Sequence, residues 1–206
     1  MPSYKLQYFN ARGFGEVSRQ LFVLSGTEFE DVRIEWEDFP KHRSGTPFGQ
    51  MPVLFVDGNP LPQSIAIARF LANEFGMAGN NNWESGWVDA IGDQYKDYIS
   101  EIHSFLAALY GLGKGDIEKM RKEVAEPARD KFFSFIEKRL GESSSGFLVG
   151  DSLTWIDLAI VDHVDVHMEL LQGFMDSFPK VLALKEKVQS IPQLKKWLET
   201  RPKTPN

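Results

Sequence analysis

Residues 49–76, GQMPVLFVDGNPLPQSIAIARFLANEFG, constrain the fold of this chain more than any other stretch. A proline at 52 offers no backbone donor and gives the Met51–Pro52 bond access to the cis form. Val53, Leu54, Phe55 and Val56 form a short apolar run of strand type. Asp57-Gly58 follows, a hairpin dipeptide because both positions accept positive φ. Pro62-Gln63-Ser64 then opens a helix in which Ile67, Phe70, Leu71 and Phe75 recur at helical spacing and Gly76 lies past the end. Ser64 is read as the N-cap, and free amides at a helix N-terminus attract an anion. Two binding features therefore lie side by side. One is the backbone of Met51, able to pair with an extended peptide; the other is a helix start able to hold a carboxylate.

Upstream, Tyr4–Phe9 alternates loosely and reads as a strand. Residues 10–15 make a glycine-rich turn, and Glu16–Ser25 reads as a helix with Val17, Leu21 and Leu24 on one face and Gly26 at its end. Phe29–Trp36 alternates at Val32, Ile34 and Trp36, a second strand. Residues 37–48 are irregular. The order strand, helix, strand, loop, strand, strand, helix implies a small mixed sheet with helices packed on it.

Downstream of a polar linker at 76–86, nothing resembles a strand. Trp87–Leu112 reads as one long helix closed by Gly111 and Gly113. Asp116–Leu140 reads as a second, kinked at Pro127. Thr154-Trp155-Ile156-Asp157 has the spacing of a capping box, with Asp in place of the usual Glu. The helix from Trp155 to Leu171 is apolar nearly all round and is expected at the centre of a bundle. Phe178–Gln189 and Pro192–Glu199 are shorter helices.

Composition excludes several functions. The chain has no cysteine, hence no disulfide, zinc–thiolate site or cysteine nucleophile. A net charge of −6 without a basic run argues against a nucleic-acid partner. No apolar run approaches a membrane span, and the first residues lack a signal-peptide layout, so a cytoplasmic protein without a membrane partner is expected. Asp93 and Asp97, or His163 and His167, share helical faces at four-residue spacing, but no third ligand is evident and no metal is expected.

YFNARG, PFGQMPVL, QSIAIARFLA and FLVGDSLTWIDL occur in an order that resembles the soluble glutathione transferases, along the whole chain. The first half and its tyrosine are most similar to the sigma class, which includes invertebrate enzymes and glutathione-dependent prostaglandin D synthases. The resemblance implies a thioredoxin-like α/β domain over residues 1–79 and an all-α helical domain over 81–206. It also implies a homodimer and a glutathione co-substrate, with no other cofactor. The activity implied is conjugation of the glutathione thiolate to small hydrophobic electrophiles, with peroxidase or prostaglandin isomerase side activity.

The implied roles fall on particular residues. Tyr8 donates its hydroxyl to the glutathione sulfur; read from the residues alone it is one strand aromatic among several, beside Tyr4 and Phe9. Met51 before Pro52 pairs with the cysteinyl backbone. Gln63 and Ser64 hold the γ-glutamyl carboxylate, Arg43 and Gln50 the glycyl end, with Lys41 and His42 as rivals to Arg43. Asp97 matches an acid that reaches the γ-glutamyl amine bound in the other subunit. Phe9, Phe14, Ile99, His103 and Phe105 are candidates for an apolar acceptor pocket. The chain departs from its relatives at Phe39, where many carry tryptophan at the glutathione site, and at Phe14, which replaces an arginine common after the Arg-Gly pair. Asp157 is read as a helix cap only. The alternative is a non-enzymatic member of the fold, carrying hydrophobic ligands or serving a structural role.

Overall fold

The computed structural model describes residues 2–204. Four strands form one sheet: β1 (Tyr4–Phe9), β2 (Glu30–Ile34), β3 (Val53–Val56) and β4 (Asn59–Pro62), in the order β2-β1-β3-β4. β1 runs parallel to β2 and antiparallel to β3, which pairs antiparallel with β4. The parallel pair is joined through α1 (Glu16–Ser25), as a parallel connection requires. α3 (Ser64–Phe75) follows the hairpin and packs against α1. Alternation along β1 sends Tyr4, Leu6 and Tyr8 inward, and the Tyr4 ring meets Phe22 of α1 and Phe75 of α3. Leu6, Leu21, Val53, Leu54, Ile67 and Leu71, all without solvent contact, complete this core.

The hairpin turn is as the sequence implies, with Asp57 at φ 50° and Gly58 at φ 84°, and the Met51–Pro52 bond is cis. β2 is shorter than its alternation suggests. Its ladder with β1 ends at Phe9 and Ile34, Phe29 stacks on Phe22 instead of extending the strand, and Trp36 enters a 3-10 turn at Trp36–Asp38. The irregular segment holds a four-residue helix, α2 (Phe39–His42).

The helical part begins earlier than expected. α4 spans Asn82–Glu101 because Asn81, within the polar run read as linker, caps it: its Oδ1 accepts from the amides of Trp83 and Glu84, each at 3.0 Å. The single long helix expected to Leu112 pauses at the buried Ile102, and α5 (His103–Leu109) follows. Gly111 closes it at φ 72°, with the amides of Leu112 and Gly113 both on the Ala107 carbonyl at 2.8 Å. The next segment is not one kinked α-helix. α6 (Ile117–Met120) runs into a π-helical turn at Arg121–Ala125 and then into α7 (Glu126–Glu142). Pro127 thus sits in the first turn of α7, directly after the π-helical turn.

α8 (Trp155–Leu170) is buried along most of its length. Asp157 accepts from the Thr154 amide at 2.8 Å and from the Leu148 amide at 2.9 Å, tying the preceding loop to the helix start. Trp155 lies so close to Gly92 of α4 that a Cβ there would sit 2.4 Å from Cη2. His163 bonds the Tyr98 hydroxyl at 3.1 Å, and His167 Nδ1 donates to the His163 carbonyl at 2.7 Å. These histidines are packed side chains. α9 (Pro179–Gln189) and α10 (Pro192–Thr200) end the chain.

Compactness divides the chain into Met1–Ala78 with Lys187–Asn206, and Gly79–Glu186. α10 packs on α1 within the first of these units.

Candidate functional site

Tyr8 is enclosed at the end of β1, 6% exposed. The turn that follows wraps its ring. A Cβ at Gly13 would lie 2.6 Å from the phenolic oxygen, and one at Gly15 would lie 2.6 Å from Cδ1, so only glycines allow the approach. Gly13 also has φ 34°. The Phe14 amide between them donates to the Tyr8 hydroxyl oxygen at 3.0 Å. With that oxygen accepting from an amide, the phenolic O–H is polarised.

Arg19, fully buried on α1, holds the turn from beneath. Its Nη1 donates to the Ala11 carbonyl at 2.7 Å, its Nη2 to the Phe9 carbonyl at 3.4 Å, and its Nε to both oxygens of Asp31 at 3.1 Å. Its guanidinium lies 5.8 Å from the Tyr8 ring centroid. A buried cation is tolerable because its donors are taken up by backbone carbonyls and by the carboxylates of Asp31 and Glu16. Sequence reasoning missed this residue. The available signal was a pair of opposite charges, Glu16 and Arg19, one turn apart on α1.

The register brings the other residues alongside. Gln7 pairs with Val53, and Val53 with Pro62. Met51 lies beyond the last rung, so its backbone extends past the ladder, and its sulfur accepts from Gln7 Nε2 at 3.8 Å.

Ser64 is not the N-cap. It is the first residue of α3, and Gln63 occupies the cap position with φ 76° and ψ 115°, without a side-chain cap bond. The Gln63 carbonyl accepts the first helical bond, from Ile67 at 2.9 Å. Positive φ at a non-glycine residue is a strained geometry that persists where surrounding structure enforces it, and such residues cluster at binding sites. By helix geometry the first amides of α3, including that of Ser64, have no intrahelical acceptor.

The Gln63 side chain reaches Gln50, Nε2 to Oε1 at 3.5 Å. Arg43 lies against Gly49, where a Cβ would sit 3.2 Å from its Nε and φ is 64°. Arg43, Gln50 and Gln63 are thus brought to one edge, all exposed. Lys41 is engaged with Asp38, which raises the lysine's pKa and lowers the aspartate's through their hydrogen bond. Phe39 and Trp36 pack on Phe9, ring centroids 5.2 and 4.3 Å away, and Phe9 also meets Tyr8 at 5.4 Å. Phe14 is 48% exposed.

In the helical unit, Asp97 and His103 are exposed and Ile99 is half-buried. Phe105 is fully buried. Its side chain is enclosed by the core of this unit, whereas the sequence reading set it in an acceptor pocket. Among the described residues, no three His, Cys, Asp or Glu side chains converge on a metal-sized space, and no helix is long and apolar enough to cross a membrane.

Comparison with known proteins matches both parts of the chain to one family. Residues 4–73 match the glutathione S-transferase N-terminal domain, and residues 100–201 match the glutathione S-transferase C-terminal domain. A relative from Caenorhabditis elegans, described as probable glutathione S-transferase 5, is 52% identical over 100% of both chains. A monomeric glutathione S-transferase from Necator americanus superposes with a TM-score of 0.96 at 50% identity, covering 99% of this chain and 100% of that one. A Nu-class enzyme from Haemonchus contortus gives a TM-score of 0.90 at 50% identity, covering 99% of each. Both domains in their order, at this identity over the full length, place the chain in the glutathione S-transferase family.

Proposed function

We propose that this glutathione transferase activates its co-substrate with Tyr8 and delivers the resulting thiolate to small hydrophobic electrophiles. The observation that carries the reading is the Phe14 amide on the Tyr8 phenolic oxygen at 3.0 Å, at the strand end beside cis Pro52. A thiol with a pKa of about 8.5 is mostly protonated at neutral pH, and the thiolate is the nucleophile. A phenolic proton aimed at the sulfur stabilises the anion, the thiol proton leaves to solvent, and sulfur attacks the electrophilic carbon, displacing a leaving group or adding to it. In this reading Met51 pairs with the cysteinyl backbone, Gln63 and the start of α3 at Ser64 take the γ-glutamyl carboxylate, and Arg43 with Gln50 takes the glycyl carboxylate. Phe39 contributes packing at that end and no hydrogen bond. Phe9 and the half-exposed Phe14 face the acceptor.

The homodimer, with Asp97 reaching the γ-glutamyl amine in the other subunit, belongs to the same proposal, as does a cytoplasmic location. The Necator americanus relative is described as monomeric, so sedimentation is the deciding measurement: a fully active monomer sinks the role given to Asp97. The sequence resemblance favours the sigma class and its prostaglandin isomerase or peroxidase chemistry, against the Nu-class likeness. Turnover of a prostaglandin endoperoxide and of a lipid hydroperoxide separates these readings.

Tyr8→Phe tests the centre of the proposal. It keeps the ring and removes only the hydroxyl, a hydrogen bond to a charged group worth about 1.5–3 kcal/mol. Conjugation at neutral pH is expected to slow by about 10- to 150-fold. Glutathione affinity should stay near wild type, while the bound thiol loses its acidity. A variant with wild-type rate and wild-type thiol pKa would falsify the assignment.

A further inference from the structure

Glu16, at the start of α1, is a carboxylate almost without solvent contact, 1% exposed. Its Oε1 accepts from two side chains near the C-terminus, Trp197 Nε1 at 2.7 Å and Arg201 Nη1 at 2.8 Å. Its Oε2 lies 3.5 Å from Arg19 Nη1. Trp197 is on α10, Arg201 is that helix's C-cap residue, and Leu194, 1% exposed, anchors the helix as it packs on α1. A buried carboxylate of this kind is stable only while its charged and polar donors stay in place.

None of these three side chains is assigned to glutathione in the function proposed above. What they hold is the turn around Tyr8. Glu16 follows Gly15 directly, and one residue separates it from Phe14, whose amide bonds the Tyr8 hydroxyl. Arg19, one helical turn on, grips the Ala11 carbonyl at 2.7 Å. The turn is therefore fastened near its start by Arg19 and at its end by Glu16, and Glu16 is fastened by α10.

We propose that Trp197 and Arg201 are positioning residues for thiol activation, holding the Phe14 amide on Tyr8 through Glu16. The inference rests on the reading of Tyr8 as the donor to sulfur. Hydrogen bonds weaken steeply with length and misalignment, so a small relaxation of residues 13–16 would weaken the polarisation of the Tyr8 hydroxyl. The groups assigned to the glutathione carboxylates and backbone lie on other segments and are unaffected.

The test uses Trp197→Phe, which keeps an aromatic ring and removes the N–H, together with Arg201→Gln and Arg201→Lys. Thiolate absorbance of bound glutathione reads the thiol pKa, and turnover is followed against pH. Trp197→Phe and Arg201→Gln are expected to raise the bound thiol pKa and to slow turnover about 3- to 10-fold at neutral pH. The glutathione KM should stay within about twofold. Rates should converge with wild type in alkali, where the thiol is ionised in every variant, and Arg201→Lys should recover part of the loss. Folded variants with wild-type thiol pKa and pH profile, changed only in melting temperature, would overturn the proposal and leave α10 a packing element. Tyr8→Phe measured in parallel separates the two levels. A shifted thiol in Tyr8→Phe with none in Trp197→Phe refutes the tether alone, whereas an unshifted thiol in Tyr8→Phe refutes the Tyr8 reading and the tether with it.

Discussion

The amide of Phe14 meets the phenolic oxygen of Tyr8 at 3.0 Å, and no Cβ fits at residue 13 while it does so. Gly13→Ala would place a methyl group 2.6 Å from that oxygen on a backbone at φ 34°. Both backbone and ring must yield. The expected result is a stability loss of about 1–2 kcal/mol and a loss of turnover comparable to that of Tyr8→Phe, with the bound thiol pKa raised. Chemical denaturation and thiolate absorbance check the two effects separately. An alanine variant with an unchanged thiol pKa would mean that the Phe14–Tyr8 bond is dispensable.

Ser64→Ala separates two roles that the sequence merges. A serine ahead of an apolar helical run reads as an N-cap, and its loss would then cost about 1 kcal/mol of stability. Ser64 instead lies inside the helix with Gln63 in the cap position. Ser64→Ala should therefore leave stability within about 0.5 kcal/mol, while glutathione affinity falls by about 10-fold or more as a donor to a carboxylate is removed. Calorimetric titration beside thermal melting decides the matter, and an unchanged dissociation constant would remove Ser64 from the glutathione site.

The misplacement by one residue shows where sequence stops being informative. Alternation in β1, the Asp57-Gly58 turn and the proline at 52 are local features, set by neighbours in the chain, and each is found where local rules put it. The positive φ at Gln63 is imposed by the fold and has no signature in a glutamine. Asn81 was legible as a cap in principle, but it lies in a polar run whose composition equally suits a linker. The tie between Glu16 and Trp197 spans 181 residues, and neither residue type announces a partner at that distance. Arg19 is the clearest case: an arginine on an amphipathic helix reads as solvated, whereas this one is fully buried and organises the turn. Phe105 shows the converse, an aromatic that suits a pocket by type and is enclosed in the core by packing.

Acid lability is expected from the stacked pair His163 and His167, whose ring centroids lie 3.9 Å apart inside the helical unit. Burial lowers the His167 pKa from 6.5 to about 4, with its bond to the His163 carbonyl opposing the shift. Burial also holds His163 well below its ordinary value, and the neighbouring His167 pushes it the same way. Both are neutral in the folded protein at pH 7. As pH falls through about 6.5 the unfolded chain gains protons that the folded protein refuses, so stability declines with falling pH until the folded pKa is reached, then levels off. For His167 the gap between 6.5 and about 4, at about 1.4 kcal/mol per decade of proton concentration, corresponds to about 3 kcal/mol. His163 adds a loss of the same sign. Between pH 6.5 and 5, above most carboxylate titrations, urea midpoints should fall steadily. His167→Gln, which cannot titrate, should reduce that slope by about half. Flat wild-type stability across the interval would show that the pair remains accessible to protons in the folded protein.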